Sequence, residues 1–246
     1  VTIKSHDNAR FNPKAQHQRS IRQIMESRRK RAQAKGGPVP AWETEKDFLA
    51  DAQANPPIAW PMHLFDCSPI SDGAACMLLV AEELATSFTD TPIHVRGIGQ
   101  GSGRALHAAD ELTSFEATRA AAQEAYQMAG VDAGDIQFAE VHDCFSIAEI
   151  MHTEDLGFFA AGTGHKAAAE GLTRRDGSKP INTSGGLKCK GHPVGATGVA
   201  QMIEVWHQLR QTAGERQIPN RNLQIGATQS IGGTGGTCAV TILERR

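Results

Sequence analysis

The second half of the 246-residue chain alternates short β-rich runs with helical segments, and this alternation limits the possible folds most strongly. A buried strand is a short apolar run, whereas an amphipathic helix repeats its apolar residues about every 3.6 positions. On these criteria the strand candidates are 75–81, 92–99, 136–141, 223–229 and 237–243, and the helix candidates are 114–130, 145–157 and 199–211. Strands alternating with helices, followed by two strands in succession, predict an α/β layered fold with a mixed sheet.

Two helix candidates carry further detail. The alanine-rich segment 114–130 has Thr113 and Glu116 at capping-box spacing and Gly130 as its stop. In the segment 199–211 the apolar residues that share one face are Val199, Ile203, Trp206 and Leu209.

The first 63 residues or so look irregular and contain a strongly basic run. Between Arg19 and Lys35 there are seven Lys or Arg residues and one Glu. Such a run is usually a solvated helical face. The alternative is a docking surface for a phosphorylated ligand, because Arg and Lys bind phosphate through charge-assisted hydrogen bonds.

Composition excludes several classes of function. With 40% hydrophobic residues, 21% charged residues and a formal net charge of −2, the chain has no basic excess that would favour nucleic acid. No apolar run reaches the roughly 20 residues of a membrane span. The five cysteines are scattered without CxxC spacing, which predicts reduced thiols in a cytoplasmic compartment and neither a disulfide framework nor a metal site. The chain begins with Val1, and no signal peptide follows, so we expect a fragment or a processed chain.

Three loops carry residues suited to chemistry, and each lies where a strand ends or a helix begins. They are HDCF (142–145), NTSGGLKCKGHPVGATG (182–198) and SIGGTGG (230–236). In open α/β sheets, ligands gather at the carboxyl ends of strands, so we expect these loops to share one pocket.

Each loop has two interpretations. His192 can bind or protonate an anion, or it can be incidental to a glycine-rich packing turn. Cys144, flanked by His142 and Asp143, can have a lowered pKa and act as nucleophile or acid/base, or it can be a buried small hydrophobe. The SIGGTGG loop is either a plain hairpin turn or a source of backbone N–H groups for an oxyanion.

Taken together, the three motifs resemble the C-terminal portion of the thiolase superfamily, and DCSPISDGAACMLLVAEELA (66–85) is similar to the segment that closes the family's N-terminal half. The HDCF tetrapeptide resembles the branch of sterol carrier protein type thiolases and bacterial and archaeal acetyl-CoA acetyltransferases. The resemblance covers essentially the whole chain and implies a thiolase-like layered fold. It implies a loop region with the end of the N-terminal half over 1–91, and a C-terminal thiolase domain over 92–246.

The resemblance also implies roles for individual residues. His192 would stabilise the thioester oxyanion or enolate and help to activate the nucleophile, and His142 would serve the same oxyanion hole. Cys144 would move the α-proton, and the backbone N–H of Gly232 would serve a second oxyanion hole. Ser68 matches a serine close to the pantetheine arm of coenzyme A, and Ser230 stands where many thiolases carry their second cysteine.

The implied activity is thiolase-type acyl transfer: cleavage of a 3-ketoacyl-CoA, or Claisen condensation of acyl-CoA. The family's acylated cysteine has no counterpart in this chain, so we expect it in an upstream segment or a separate chain. Acyl-CoA is the implied partner and coenzyme A a substrate or product, with no tightly bound cofactor and no metal. A homodimer, or a hetero-oligomer with a chain that supplies the N-terminal half, is expected. The alternatives are a thiolase-fold aldolase acting on a CoA thioester and a non-catalytic thiolase-like subunit.

Overall fold

A computed structural model describes residues 1–104, 108–219 and 222–246. The helices are α1 (Thr2–Ala9), α2 (Ile21–Ala34), α3 (Glu45–Ala50), α4 (Glu116–Ala129), α5 (Ser146–Asp155), α6 (Gly164–Ala169), α7 (Gly186–Lys190) and α8 (Thr197–Leu209). The strands are β1 (Pro57–Ala59), β2 (Met62–His63), β3 (Ile93–Ser102), β4 (Phe138–Glu140), β5 (Ile225–Gly232) and β6 (Thr237–Arg245).

A four-stranded mixed sheet forms the centre of the fold. Its strand order is β3-β6-β5-β4, with β3, β6 and β5 antiparallel and β4 parallel to β5. Strands β5 and β6 form a hairpin through the glycine-rich loop, and the two short strands β1 and β2 pair separately. The α/β prediction with a mixed sheet is therefore confirmed.

Helix α4 covers one face of the sheet at unusually close range. Glycines alternate along β3 at positions 97, 99 and 101, and they face the alanines of α4. A Cβ atom at Gly99 would lie 2.7 Å from the backbone nitrogen of Ala125 and closer still to the carbonyl oxygen of Ala121. Only glycine permits this approach, because any side chain would force the helix off the sheet.

Helix α8 covers the opposite face. Its Val205 and Leu209 form a buried cluster with Phe138 of β4 and Leu243 of β6. Gly226 of β5 makes room there, since a Cβ atom would lie 2.5 Å from the Phe138 ring. The sheet is thus the middle of three layers, as the alternation of strands and helices predicts.

The strand expected over 75–81 is wrong. The segment is irregular, and its Leu78 and Leu79 side chains are 71% and 68% exposed. A strand is stable only when a neighbouring strand takes up its backbone hydrogen bonds. Within the described ranges no strand runs beside this segment, so its apolar composition alone does not make it a strand.

Two details of the helix predictions also need correction. Phe115, rather than Thr113, precedes the first turn of α4, and its backbone N–H donates to Oδ2 of Asp155 at 2.7 Å, so the capping box does not form. Of the apolar face expected on α8, only Leu209 is buried. The buried face is largely polar and includes Gln201, Glu204 and Gln208.

The N-terminal region has more regular structure than its composition indicates. The basic run forms α2, which begins at a full capping box between Ser20 and Gln23. Helices α1 and α3 flank it, and Ile21, Met25 and Phe48 form a small core of their own. No helix in the described part of the chain combines the length and apolar character needed to cross a membrane.

Candidate active site

The three loops meet at one edge of the sheet. Strands β4 and β5 are parallel, with Glu140 paired to Thr228, so the segments that follow them leave at the same edge. The side-chain oxygen of Gln229 accepts from the backbone N–H of His142 at 3.0 Å. The start of α8 lies against the same strand, since a Cβ atom at Gly198 would be 3.7 Å from Oγ of Ser230.

His142 and His192 are brought together at this edge. Their ring centroids lie 4.9 Å apart with the planes nearly perpendicular. Burial lowers the pKa of His142 to about 4, and burial also lowers the pKa of His192. Both rings are therefore neutral near pH 7, and each has one nitrogen that can accept a proton.

Thr197 orients the ring of His192. Nδ1 of His192 lies 2.7 Å from Oγ1 of Thr197, which also lies 3.1 Å from the carbonyl oxygen of Pro193. A hydroxyl carries one proton, so when Thr197 donates to the carbonyl it accepts from Nδ1–H of His192. In that arrangement Nε2 of His192 is the unprotonated nitrogen and can act as a base.

Cys144 lies beside Ser68. The backbone N–H of Ser68 donates to the carbonyl oxygen of Cys144 at 2.8 Å, and Cys67 forms an isolated bridge with Phe145. Burial, with Asp143 second, raises the pKa of Cys144 to about 11. The lowered pKa expected for this thiol is thus wrong, because burial and the Asp143 carboxyl both disfavour the thiolate and outweigh the backbone N–H groups that favour it. Near pH 7 the group is a thiol that can donate a proton.

Gly232 and Ser230 occupy different places along β5. Ser230 is level with the start of α8, whereas Gly232 pairs with Thr237 at the far end of the hairpin. The structure therefore groups His142, His192, Ser230 and the Ser68–Cys144 contact at the sheet edge. Gly232 lies two residues beyond that group.

Two buried carboxyl groups fasten the loops to each other. The carboxyl of Glu140 accepts from the hydroxyl of Ser184 at 2.5 Å and from its backbone N–H at 3.1 Å. Oδ1 of Asp143 accepts from the backbone N–H of Leu187 at 2.6 Å. Burial raises the pKa of both carboxyl groups. These residues tie the histidine–cysteine loop to the segment that leads into His192.

Sequence reasoning missed these supporting residues. Of Glu140, Asp143 and Gln229, only Asp143 stood inside a recognised motif, and its function there is structural support by contact with α7. The partners of the others lie far along the chain, as for Gln229 and His142, which are 87 residues apart. No local spacing indicates such pairs.

The basic helix α2 lines a cavity of about 440 Å³ next to Ser68. Arg19 and Arg31 line it together with Lys188, whose ammonium donates to the carbonyl of Phe65. Arg28 and Arg29 of the same run donate to the backbone carbonyls of Ala54 and Trp42, at 2.7 Å and 2.9 Å. Arg19 and Arg31 thus face the cavity, Arg29 holds the N-terminal region together, and Arg28 does both.

Burial of His142 leads to a pH-dependent contribution to stability. The ring is neutral in the folded chain down to about pH 4, whereas an unfolded histidine takes up a proton below about 6.5. The contribution is complete above pH 6.5 and is lost as the pH falls towards 4, because the unfolded chain then binds more protons. We expect His142→Asn to remove it, so that the destabilisation caused by the variant is smaller at pH 5 than at pH 7.5 by about 1 kcal/mol or more.

Urea unfolding at the two pH values measures this difference. Buried carboxyls such as Glu140 and Asp143 titrate in the opposite sense, but they are present in both proteins and cancel in the comparison. His165→Asn, at an exposed position on α6, is the matched control and should show the same small effect at both pH values. Equal destabilisation by His142→Asn at pH 5 and pH 7.5 would contradict the prediction.

The fold and the site together define an α/β protein with a candidate acid–base centre of two histidines and a thiol. Comparison with known proteins supplies the family. Residues 99–245 match the family model described as "Thiolase C-terminal domain-like", so the chain belongs to that family.

The relatives carry two kinds of name. An "Acetyl-CoA acetyltransferase" of Methanothermobacter thermautotrophicus is 44% identical over 100% of this chain and 57% of its own length. "Sterol carrier protein 2" of Bos taurus is 35% identical over 74% of this chain and 34% of its own length. A solved structure titled "Ltp2-ChsH2(DUF35) aldolase" covers 100% of this chain and 57% of its own, with a TM-score of 0.78 and 24% identity, and so shows the fold alone. This chain therefore spans 57% of the archaeal relative and of the aldolase chain and 34% of the bovine relative.

Proposed function

We propose that this chain is part of a thiolase-type acyltransferase that cleaves a 3-ketoacyl-CoA or condenses two acyl-CoA molecules. The observation that carries the proposal is the pairing of His142 with His192 at the carboxyl edge of the sheet, in a chain of the thiolase family. Breaking or forming the carbon–carbon bond of a 3-ketoacyl thioester creates an enolate, which requires both a proton carrier and donors for its oxyanion.

Each residue of the site has a part in that chemistry. His192, with Nε2 unprotonated, takes the proton of the attacking thiol and then stabilises the thioester oxygen as an N–H donor. His142 serves the same oxyanion site. Cys144, a thiol near pH 7, donates its proton to the leaving enolate during cleavage and is left as the thiolate. Condensation reverses this step, so there it is the thiolate form of Cys144 that takes the α-proton and becomes the thiol again. The N–H of Gly232 serves the second oxyanion site, and Ser230 borders the first turn of α8.

The acylated cysteine belongs to the portion of the family that this chain does not cover. The exposed apolar segment 75–81 fits this arrangement, since it has the composition of a buried strand. We infer that it joins the sheet of an N-terminal half, supplied by the same polypeptide or by a separate one. The five free cysteines fit a cytoplasmic setting.

A coenzyme A thioester is the proposed ligand, bound as substrate and not as a resident cofactor. The cavity beside α2 is lined by Arg19, Arg28 and Arg31 close to Ser68, and these guanidinium groups are suited to the phosphates of coenzyme A.

A second candidate function is carbon–carbon cleavage without acyl transfer. It is favoured by one observation, the match over the full chain to the structure titled as an aldolase. Such a lyase needs the oxyanion donors and a proton carrier but no acylated cysteine. The two functions therefore differ in their dependence on that cysteine.

The test uses this chain fused behind the part of the Methanothermobacter thermautotrophicus relative that it does not cover; we call this fusion the completed enzyme. We expect the completed enzyme to cleave acetoacetyl-CoA in the presence of coenzyme A and the 246-residue chain alone to have no such activity. Turnover by the pure chain would refute the proposal. Retro-aldol cleavage of a 3-hydroxyacyl-CoA by a fusion that lacks thiolysis would support the aldolase instead.

The cavity beside α2 leads to a separate prediction. Replacing Arg28, Arg29 and Arg31 by alanine together should weaken binding of coenzyme A, and more strongly at low salt. Because Arg28 and Arg29 also bind backbone carbonyls, the sharper variant is Arg19→Ala with Arg31→Ala. Loss of two charge-assisted contacts should raise the Kd of the completed enzyme about tenfold or more, measured by calorimetry at two salt concentrations.

Arg22→Ala is the matched control, because Arg22 lies on the same helix and is ion-paired with Glu45 at the exposed surface. It should leave the Kd for coenzyme A nearly unchanged. An unchanged Kd in the Arg19 and Arg31 variant at both salt concentrations would identify the run as a solvated face.

A further inference from the structure

A cluster of buried side chains, centred on Gln229, lies next to the candidate active site. Gln229, His152 and Thr118 are completely buried, and Cys238 is nearly so. They come from four elements, β5, α5, α4 and β6. None of them belongs to a motif that the sequence pattern singled out.

The side-chain amide of Gln229 connects this group to His142. Its oxygen accepts from the backbone N–H of His142 at 3.0 Å. That contact fixes the orientation of the amide, because an oxygen can accept from N–H and an NH₂ group cannot. The NH₂ group must then point the other way, into the buried cluster.

On that side His152 is the principal acceptor. Nδ1 of His152 lies 3.2 Å from Nε2 of Gln229, and Oγ1 of Thr118 lies 3.4 Å from the same nitrogen. Since NH₂ only donates, its bond to Nδ1 of His152 requires that nitrogen to be the unprotonated one; Oγ1 of Thr118 lies 3.3 Å from the same Nδ1. Complete burial lowers the pKa of His152 to about 3 and so keeps the ring neutral. Stacking on Phe115 at 4.9 Å holds it in place.

We propose that His152 and Gln229 are positioning residues for His142: His152 holds the amide of Gln229, and Gln229 holds the backbone of the catalytic loop. The backbone of the loop is thereby fixed at His142, and the His142 ring keeps its perpendicular arrangement with the His192 ring. An effect of these residues on catalysis rests on the proposed function, whereas the positioning of the His142 backbone does not.

Amide hydrogen exchange in the 246-residue chain tests the positioning without any assay of activity. The N–H of His142 is bound by Gln229, but the neighbouring N–H of Val141 is bound by Oδ1 of Asn182 at 2.8 Å and serves as an internal control. We expect His152→Leu and Gln229→Leu to lower the protection of the His142 amide about tenfold relative to that of Val141. A general loosening of the core would instead lower both amides equally, which would overturn the proposal.

His152→Asn is the matched rescue variant. Its side-chain oxygen reaches about as far from the backbone as Nδ1 of histidine and can accept from Gln229, so it should restore most of the protection that leucine removes. An asparagine variant that behaves like the leucine variant would count against the proposal.

A measurement on the unmodified chain keeps the test independent of whether the variants fold. Long-range ¹H–¹⁵N spectra should show Nδ1 of His152 unprotonated from pH 5 to 8, and a proton on Nδ1 would overturn the assignment because two donors would then face each other. In the completed enzyme, His152→Leu should lower kcat about tenfold with an unchanged KM. If exchange changes as expected and kcat does not, the positioning stands and the catalytic role proposed for His142 fails.

Discussion

Replacing His192 by alanine in the completed enzyme is expected to lower kcat for cleavage of acetoacetyl-CoA by a factor between about 10² and 10⁴. The variant removes both the proton acceptor for the attacking thiol and one donor to the thioester oxyanion. The ring is half-buried on a loop and its side chain is hydrogen-bonded to Thr197, a residue five positions away, so its removal should leave the fold intact. Steady-state kinetics and thermal unfolding of the same preparations measure the two effects separately.

The control is His165→Ala, which removes an exposed imidazole from α6 and should leave kcat unchanged. A second variant, Thr197→Val, keeps the ring of His192 but removes its hydrogen-bond partner. It should reduce kcat by a smaller factor, about tenfold, because the ring is then free to turn and to change its tautomer. If His192→Ala keeps more than a tenth of the activity, His192 is not the base of the reaction.

The layered fold follows from local pattern where packing and pattern agree. Helix α4 and the strands β3, β5 and β6 lie where periodicity predicts them. The helix buries its alanine face on the sheet, and the apolar side chains of β5 and β6 form the core beneath it. The segment 75–81 has an equally apolar pattern and forms no strand. A strand depends on a partner elsewhere in sequence, and pattern within one segment does not supply that partner.

Helix α8 shows a second limit of local pattern. Its buried face carries polar residues because they find partners outside the helix: Nε2 of Gln201 donates to the carbonyl of Gln229 at 3.1 Å, and Nε2 of Gln208 donates to the carbonyl of Arg216 at 2.9 Å. A prediction from hydropathy places these polar residues on the exposed face of the helix. The spacing of polar residues therefore does not reveal which face is buried when tertiary hydrogen bonds satisfy them.

The sequence likewise predicts one part of the candidate site and leaves another part unpredicted. Motifs in the sequence named His142, Cys144 and His192, and the structure places the two histidine rings in contact. The direction of the Cys144 pKa shift and the support from Gln229 depend on burial and on partners from other elements. Those quantities are properties of the packed chain, so motif spacing carried no information about them.

The contact between β3 and α4 supplies the largest expected effect on stability. Gly99→Ala places a methyl group 2.7 Å from the backbone nitrogen of Ala125 and nearer still to the carbonyl oxygen of Ala121. Both obstacles are backbone atoms of a helix, so no side chain can rotate to relieve the overlap. We expect a loss of about 3 kcal/mol or more in the free energy of unfolding. In a domain of this size that loss lowers the Tm by roughly 6–12 °C.

Gly236→Ala is the matched control for this variant, because a Cβ atom there meets nothing within 4 Å. It should change the free energy of unfolding by less than about 1 kcal/mol, and it can be stabilising since alanine restricts the unfolded chain. Thermal and urea unfolding of both variants separate the effect of close packing from that of losing a glycine. If Gly99→Ala is no less stable than Gly236→Ala, α4 does not approach β3 as closely as the structure shows. The glycines at 97, 99 and 101 would then owe their positions in β3 to something other than the alanine face of the helix.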